Sequence, residues 1–162
     1  MTSSNVVVVD ANVWLDYLFG GRPGNAAAVD LLSQAMRLEL SLVIPPHCMA
    51  TVFFIFQQEL KAKNRQDGKL SPQKAADSAR VAAWAALNFI MELAAVGPSD
   101  HADALMASKY RYLHGDYEDN LVIACAMRTN ARLLVTNDVQ VIKRSPVPTM
   151  SADDARRMLS ME

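Results

Sequence analysis

Four aspartates stand out by where they fall. Asp10 directly follows the run Val6 to Val9, Asp138 lies two residues past Thr136 in Leu-Leu-Val-Thr-Asn-Asp, and Asp116 and Asp119 open a helical stretch. Carboxylates three apart on a helix share one face. Brought together from three separate segments, such groups repel one another strongly unless a positive charge sits among them. Hard oxygen donors favour Mg²⁺ or Mn²⁺. Such an ion lowers the pKa of a bound water and stabilises charge on a phosphate, so the chemistry that fits is hydrolysis of a phosphodiester. Plainer roles exist for most of these residues. Asp116, Glu118 and Asp119 suit the positive end of a helix dipole, and Asp138 suits a turn. Asp10 is harder to explain so simply: a carboxylate ending a buried strand needs a partner, and no neighbouring position offers a Lys or Arg.

The elements that must position these residues alternate. Val6 to Val9 is an unbroken β-branched run, as in a parallel strand covered on both faces. A short helical stretch follows, then the loop Gly20-Gly-Arg-Pro23, then a helix from Ala26 to Met36 for which Asn25 is the expected cap. Leu42 to Ile44 reads as the second strand, and Pro46 suits the first turn of a helix whose apolar stripe is Met49, Val52, Phe53, Phe56 and Leu60. The polar break Asn64 to Lys69 precedes Ser71-Pro72, which starts an alanine-rich helix to about Asn88 or Ile90. Leu93 to Val96 is the third strand, Asp100 caps a helix to about Leu113 with Gly115 as terminator, and a further helix spans about Tyr117 to Thr129. Leu133 to Thr136 is the fourth strand, and Ser151 with Asp154 resembles a capping box. Strands alternating with helices call for one α/β domain over residues 1–162, a parallel sheet of four or five strands flanked by helices in three layers. Right-handed crossovers put the carboxyl ends of the strands on one edge, where ligands bind in such sheets.

Composition narrows the class. The chain has 162 residues, 51% hydrophobic and 20% charged, which excludes a disordered chain, and its net charge of −1 weighs against a general polyanion binder, so any nucleic-acid contact is local. Cys48 and Cys125 give neither a disulfide framework nor zinc-ligand spacing, so a reducing cytoplasm is expected. The apolar stretches Leu42 to Phe56 and Val81 to Val96 are interrupted by polar residues or prolines, so no membrane span is expected. The opening MTSSNVVVVD lacks the basic region of a signal peptide.

Three segments resemble the PIN domain family. Val9-Asp-Ala-Asn-Val-Trp-Leu-Asp16 resembles its opening Asp-x-Asn, Asp116 to Ala126 is similar to the segment carrying its central acidic residue, and Leu133 to Asp138 resembles its terminal strand with Thr-x-Asp. The three occur in order across nearly the whole chain, and the length and helical middle resemble VapC-type toxins and their free-standing relatives. The resemblance implies a metal-dependent endoribonuclease in which Asp10, Asp119 and Asp138 bind Mg²⁺ or Mn²⁺, with Asp116 as an outer or second-metal acid. Asn12 and Thr136 would orient these carboxylates through hydrogen bonds. The implied partners are RNA, an antitoxin protein if the chain is a toxin, and a second copy of the chain. One departure stands out: the family's glutamate after the second strand is matched by Thr51, which can hold a metal-bound water but adds no charge. Glu59 lies eight residues later, roughly 12 Å along a helix. The departure implies weaker metal binding or lost activity, with His47 as a substitute ligand to weigh against a surface or capping role.

Two other functions fit parts of the sequence. One is an inactive module of this scaffold that binds RNA or protein. The other is a haloacid dehalogenase-like phosphohydrolase, which needs a second aspartate where Asn12 stands. Lys61, Lys63, Arg65 and Lys69 form a basic cluster that could meet RNA or simply solvate a helix end. Arg128, Lys143 and Arg144 are candidate phosphate contacts or surface charges, and His101 and His114 show no ligand spacing. Trp14, Tyr17, Trp84 and Phe89 suit core or interface.

Overall fold

The central strand β1 (Val6–Val9) is buried, with Val7, Val8 and Val9 fully shielded from solvent. Its unbroken β-branched sequence suits a strand covered on both faces, and burying each such side chain contributes about 1.5 kcal/mol or more. In the computed structural model, which describes residues 4–162, the chain continues through α1 (Ala11–Leu18), α2 (Asn25–Arg37), β2 (Ser41–Ile44), α3 (Pro46–Gln66) and α4 (Pro72–Leu93). It then forms β3 (Ala95–Val96), α5 (His101–Lys109), a 3₁₀ turn at Tyr110–Tyr112, α6 (Tyr117–Arg128), β4 (Leu133–Val135), α7 (Val139–Arg144), β5 (Thr149–Met150) and α8 (Ala152–Leu159). The opening Met-Thr-Ser of the segment read above for a leader lies outside the described residues.

All five strands are parallel, in the order β3-β2-β1-β4-β5, and helices flank the sheet. The chain therefore builds outward from β1 to β3, then returns to lay β4 on the other side of β1. The reversal makes β1 and β4 a topological switch point, where the loops leaving the two strands part and a crevice opens.

Several boundaries differ from expectation. α3 runs through Gln66, across most of the polar break, because nothing between Asn64 and Gln66 interrupts its backbone bonding and Gly68, at φ 65°, first departs from it. α4 reaches Leu93, with the Ala94 amide still bonded to the Ile90 carbonyl, which shortens the third strand to two residues. α5 stops at Lys109 and tightens into the 3₁₀ turn. α7 and β5 were not expected: six and two residues are too short to leave a periodic signal. Asn25 does not cap α2 but is its first residue. Its amide nitrogen instead donates to the Asp16 and Tyr17 carbonyls, closing the C-terminal end of α1. Trp14 is buried, whereas Trp84 and Phe89 lie exposed on α4. No helix among the described residues is long and apolar enough to cross a membrane.

Candidate functional site

The register of β1 on β4 pairs Val9 with Val135, and the Asp10 amide donates to the Val135 carbonyl at 3.0 Å. Asp10 and Thr136 thus leave adjacent strands side by side. The Asp10 carboxylate caps α1 through the Ala11 amide at 2.6 Å, and its other oxygen accepts from the Thr136 hydroxyl at 2.7 Å and the Asn12 amide at 2.8 Å. Thr136, wholly buried, also accepts from Asn12 at 3.0 Å and from the Asp138 amide at 3.1 Å. Asn12 Oδ1 in turn accepts from the Asn137 amide at 3.0 Å. Asn12 and Thr136 therefore lock the ends of two strands to one carboxylate. Burial pushes the Asp10 carboxyl above its ordinary value, and the Thr136, Ala11 and Cys48 hydrogen bonds oppose that rise.

Asp119, Asp138 and His114 form the tightest cluster, each offering a ligand atom within 4.8 Å of the others. Asp138 caps α7 and Asp116 caps α6, each through backbone amides of the first turn. Burial raises the Asp119 carboxyl to about 6; the neighbouring charges of Asp116, Asp138 and Asp10 add to the rise, and His114 opposes it. Asp10 and Asp116 lie outside the 4.8 Å group yet near enough for their charge to be felt there. Among the described residues no lysine or arginine pairs with any of these four aspartates. A cluster of hard oxygen donors, mutually repelling and without a protein cation, fits a divalent metal ion.

His114 is the residue that spacing did not reveal. Its Nδ1 accepts from the Asp116 amide at 3.1 Å and lies 3.1 Å from Asp119 Oδ2. Two electron-rich atoms so placed need a proton or a metal between them. His114→Ala is expected to weaken Mn²⁺ binding about tenfold, read by calorimetric titration. Its position in the turn before α6, two residues ahead of the capping Asp116, was the only signal available.

A cleft of about 230 Å³ opens beside this cluster, lined by Asp10, Asn12, His47, Thr51, Glu118 and Asp119 together with Arg22. Thr51 faces the cleft and donates its hydroxyl proton to the His47 carbonyl at 3.2 Å, so its lone pairs remain open. Glu59 lies outside the cleft, in an adjoining groove. Burial lowers the His47 pKa against the pull of Asp10 and Glu118. Cys48 is buried, its thiol pushed well up by desolvation, and it donates weakly to Asp10. Arg128 pairs with Asp100 and Asp103 across α5 and α6. Arg144 donates to the Leu113 carbonyl at 3.2 Å and so steadies the turn that carries His114.

Comparisons with known proteins agree with this architecture. The structure resembles PAE2754 from Pyrobaculum aerophilum, with a TM-score of 0.61 at 15% identity over 99% of each chain. It also resembles VapBC2 from Rickettsia felis, solved bound to a promoter DNA fragment, with a TM-score of 0.56 at 14% identity over 90% of this chain and 98% of that one. VapBC-1 from nontypeable Haemophilus influenzae gives a TM-score of 0.53 at 15% identity over 91% and 98%. No curated protein matches the chain by sequence. The family model described as PIN domain matches residues 6–140, a span that holds β1, β4 and all four aspartates. With that match over most of its length, the chain belongs to the PIN domain family, whose members are generally nucleases.

Proposed function

We propose that this chain is a metal-dependent endoribonuclease, the toxin of a toxin–antitoxin pair, with a site weakened by Thr51. The observation that carries the reading is the convergence of Asp119, Asp138 and His114 within 4.8 Å, with no lysine or arginine paired to these aspartates among the described residues. Asp119, Asp138 and His114 would hold Mg²⁺ or Mn²⁺, with Asp10 and Asp116 completing the acidic surround. The ion supplies Lewis acidity at the phosphate and a more acidic water. Asn12 and Thr136 keep the Asp10 carboxylate aimed by three hydrogen bonds among them. Asp116 Oδ1 is engaged by the first amides of α6, which leaves Oδ2 to orient the attacking water and accept its proton.

The similar structures include VapBC pairs, one of them on promoter DNA. By that likeness an antitoxin would cover the acidic edge, and the chain would pair with a second copy of itself in the cytoplasm, where Cys48 and Cys125 stay reduced. Cleavage of structured RNAs in Mg²⁺ or Mn²⁺ tests the activity. Thr51→Glu adds a carboxylate to the cleft and is expected to tighten Mn²⁺ binding about tenfold and to raise cleavage in step. Thr51 also favours a second reading, an RNA-binding module that does not cut. Saturable RNA binding with no cleavage by either wild type or Thr51→Glu would establish that one.

A further inference from the structure

The cleft presents an electrostatic problem to the substrate that the proposed function gives it. Asp10, Glu118 and Asp119 line it, and an RNA phosphate entering such a site meets like charge. Among the residues lining the cleft, Arg22 is the one with a permanent positive charge. It comes from the loop between α1 and α2, and several contacts fix that loop. The Arg22 amide donates to the Phe19 carbonyl at 3.1 Å, and its own carbonyl accepts from the Asn25 amide at 3.0 Å.

The guanidinium is anchored at Nε and, among the described residues, unpartnered at Nη1. Nε lies 3.1 Å from Asp16 Oδ1. The other Asp16 oxygen accepts from Asn137 Nδ2 at 2.9 Å, and Asn137 is bonded through its amide to Asn12. The arginine is thus tied to the same scaffold as Asp10. Gly24 permits this anchor, since a Cβ there would fall 2.1 Å from Asp16 Oδ2. Nη1 is buried and has no hydrogen-bond partner among the described residues. Glu59 approaches it only to 3.9 Å, too far for a hydrogen bond. A buried charged donor left unpaired is costly, and a planar fork with free N–H groups matches the oxygens of a phosphate.

We propose that Arg22 binds a phosphate of the RNA backbone in the cleft, next to the metal-holding aspartates, and that Glu59 competes with that phosphate for its free end. The assignment rests on the nuclease reading above. It makes Arg22 a substrate-binding residue that takes no part in holding metal.

The test measures binding to a fluorescent single-stranded RNA by anisotropy in EDTA, which withholds the metal that cleavage needs, over a range of salt. Arg22→Gln is expected to weaken binding about tenfold and to reduce the slope of log K against log salt by about 0.7, the loss of one single-strand phosphate contact. Arg22→Lys, which keeps the charge but not the fork, is expected to retain the slope and part of the affinity. Glu59→Gln leaves the Asp16 anchor untouched and should tighten binding two- to fivefold, a gain that disappears when Arg22→Gln is added. Mn²⁺ affinity should be unchanged in all three single variants. Equal affinity and slope for wild type and Arg22→Gln, or a Glu59→Gln gain that persists without Arg22, overturns the Arg22 assignment and leaves the nuclease reading standing. No saturable RNA binding by wild type overturns the Arg22 assignment, and no cleavage of the same RNA in Mg²⁺ or Mn²⁺ overturns the nuclease reading with it.

Discussion

Asp119→Asn will reduce metal-dependent RNA cleavage at least about 100-fold, and it will make the metal-free protein more stable. Both effects come from one cause. The Asp119 carboxylate is partly buried beside Asp116, Asp138 and Asp10, and its pKa is raised to about 6. Removing a metal-binding carboxylate removes several kcal/mol of transition-state charge stabilisation. The stability change has a definite sign. In the unfolded chain this carboxyl titrates near 3.8, so between that value and about 6 the folded state holds the proton more tightly. The stability linked to that proton is complete below the unfolded value and is lost as pH rises through about 6. At pH 7.5 the ionised group therefore costs the metal-free fold on the order of 2–3 kcal/mol, which the neutral asparagine avoids. For a chain of this size, 1 kcal/mol corresponds to roughly 2–4 °C. Metal-free Asp119→Asn should thus melt roughly 5 °C or more above wild type at pH 7.5, with the difference closing by pH 4. Mn²⁺ should stabilise wild type at pH 7.5 and leave the variant nearly unmoved. Equal cleavage by the two proteins would remove the site assignment, and an unchanged melting difference across pH would remove its electrostatic cause.

Thr136→Val will destabilise the fold by roughly 2–4 kcal/mol, although it keeps the shape of the side chain and adds no cavity. The hydroxyl donates to Asp10 and accepts from Asn12 and from the Asp138 amide, all in a wholly buried position. Valine leaves the Asp10 carboxylate short of a donor and the Asp138 amide without its acceptor, and a buried polar group without a partner costs more than the bond itself contributes. Urea titration should show a lower midpoint at unchanged slope. Thr136→Ser keeps the hydroxyl and should recover most of the loss. Cleavage should fall with Thr136→Val even under conditions where the variant is fully folded, because Asp10 and Asp138 lose their common anchor.

Much of the fold was legible because its signals are local. Four valines in a row need burial on both faces, Pro46 and Ser71-Pro72 mark helix starts by backbone restriction, and Ser151 accepts from the Asp154 amide as its spacing implied. The same locality explains the misses. The two residues of β5 exist because β4 offers an open edge, and Asn25 leaves its expected capping role because α1 ends beside it.

The sequence by itself determined the alternation of strands and helices and the placing of Asp10 and Asp138 just beyond two apolar strands. Those features follow from backbone restriction and side-chain periodicity over a few residues. Only the tertiary structure decided that β4 lies against β1 in the register Val9 to Val135, which brings Thr136 onto Asp10 across 126 positions of chain. It alone turned His114 toward Asp119 and Asp138 and brought Arg22 into the lining of the cleft beside them. Strand order and the course of a connecting turn depend on packing among residues far apart in sequence, and no local pattern encodes that packing.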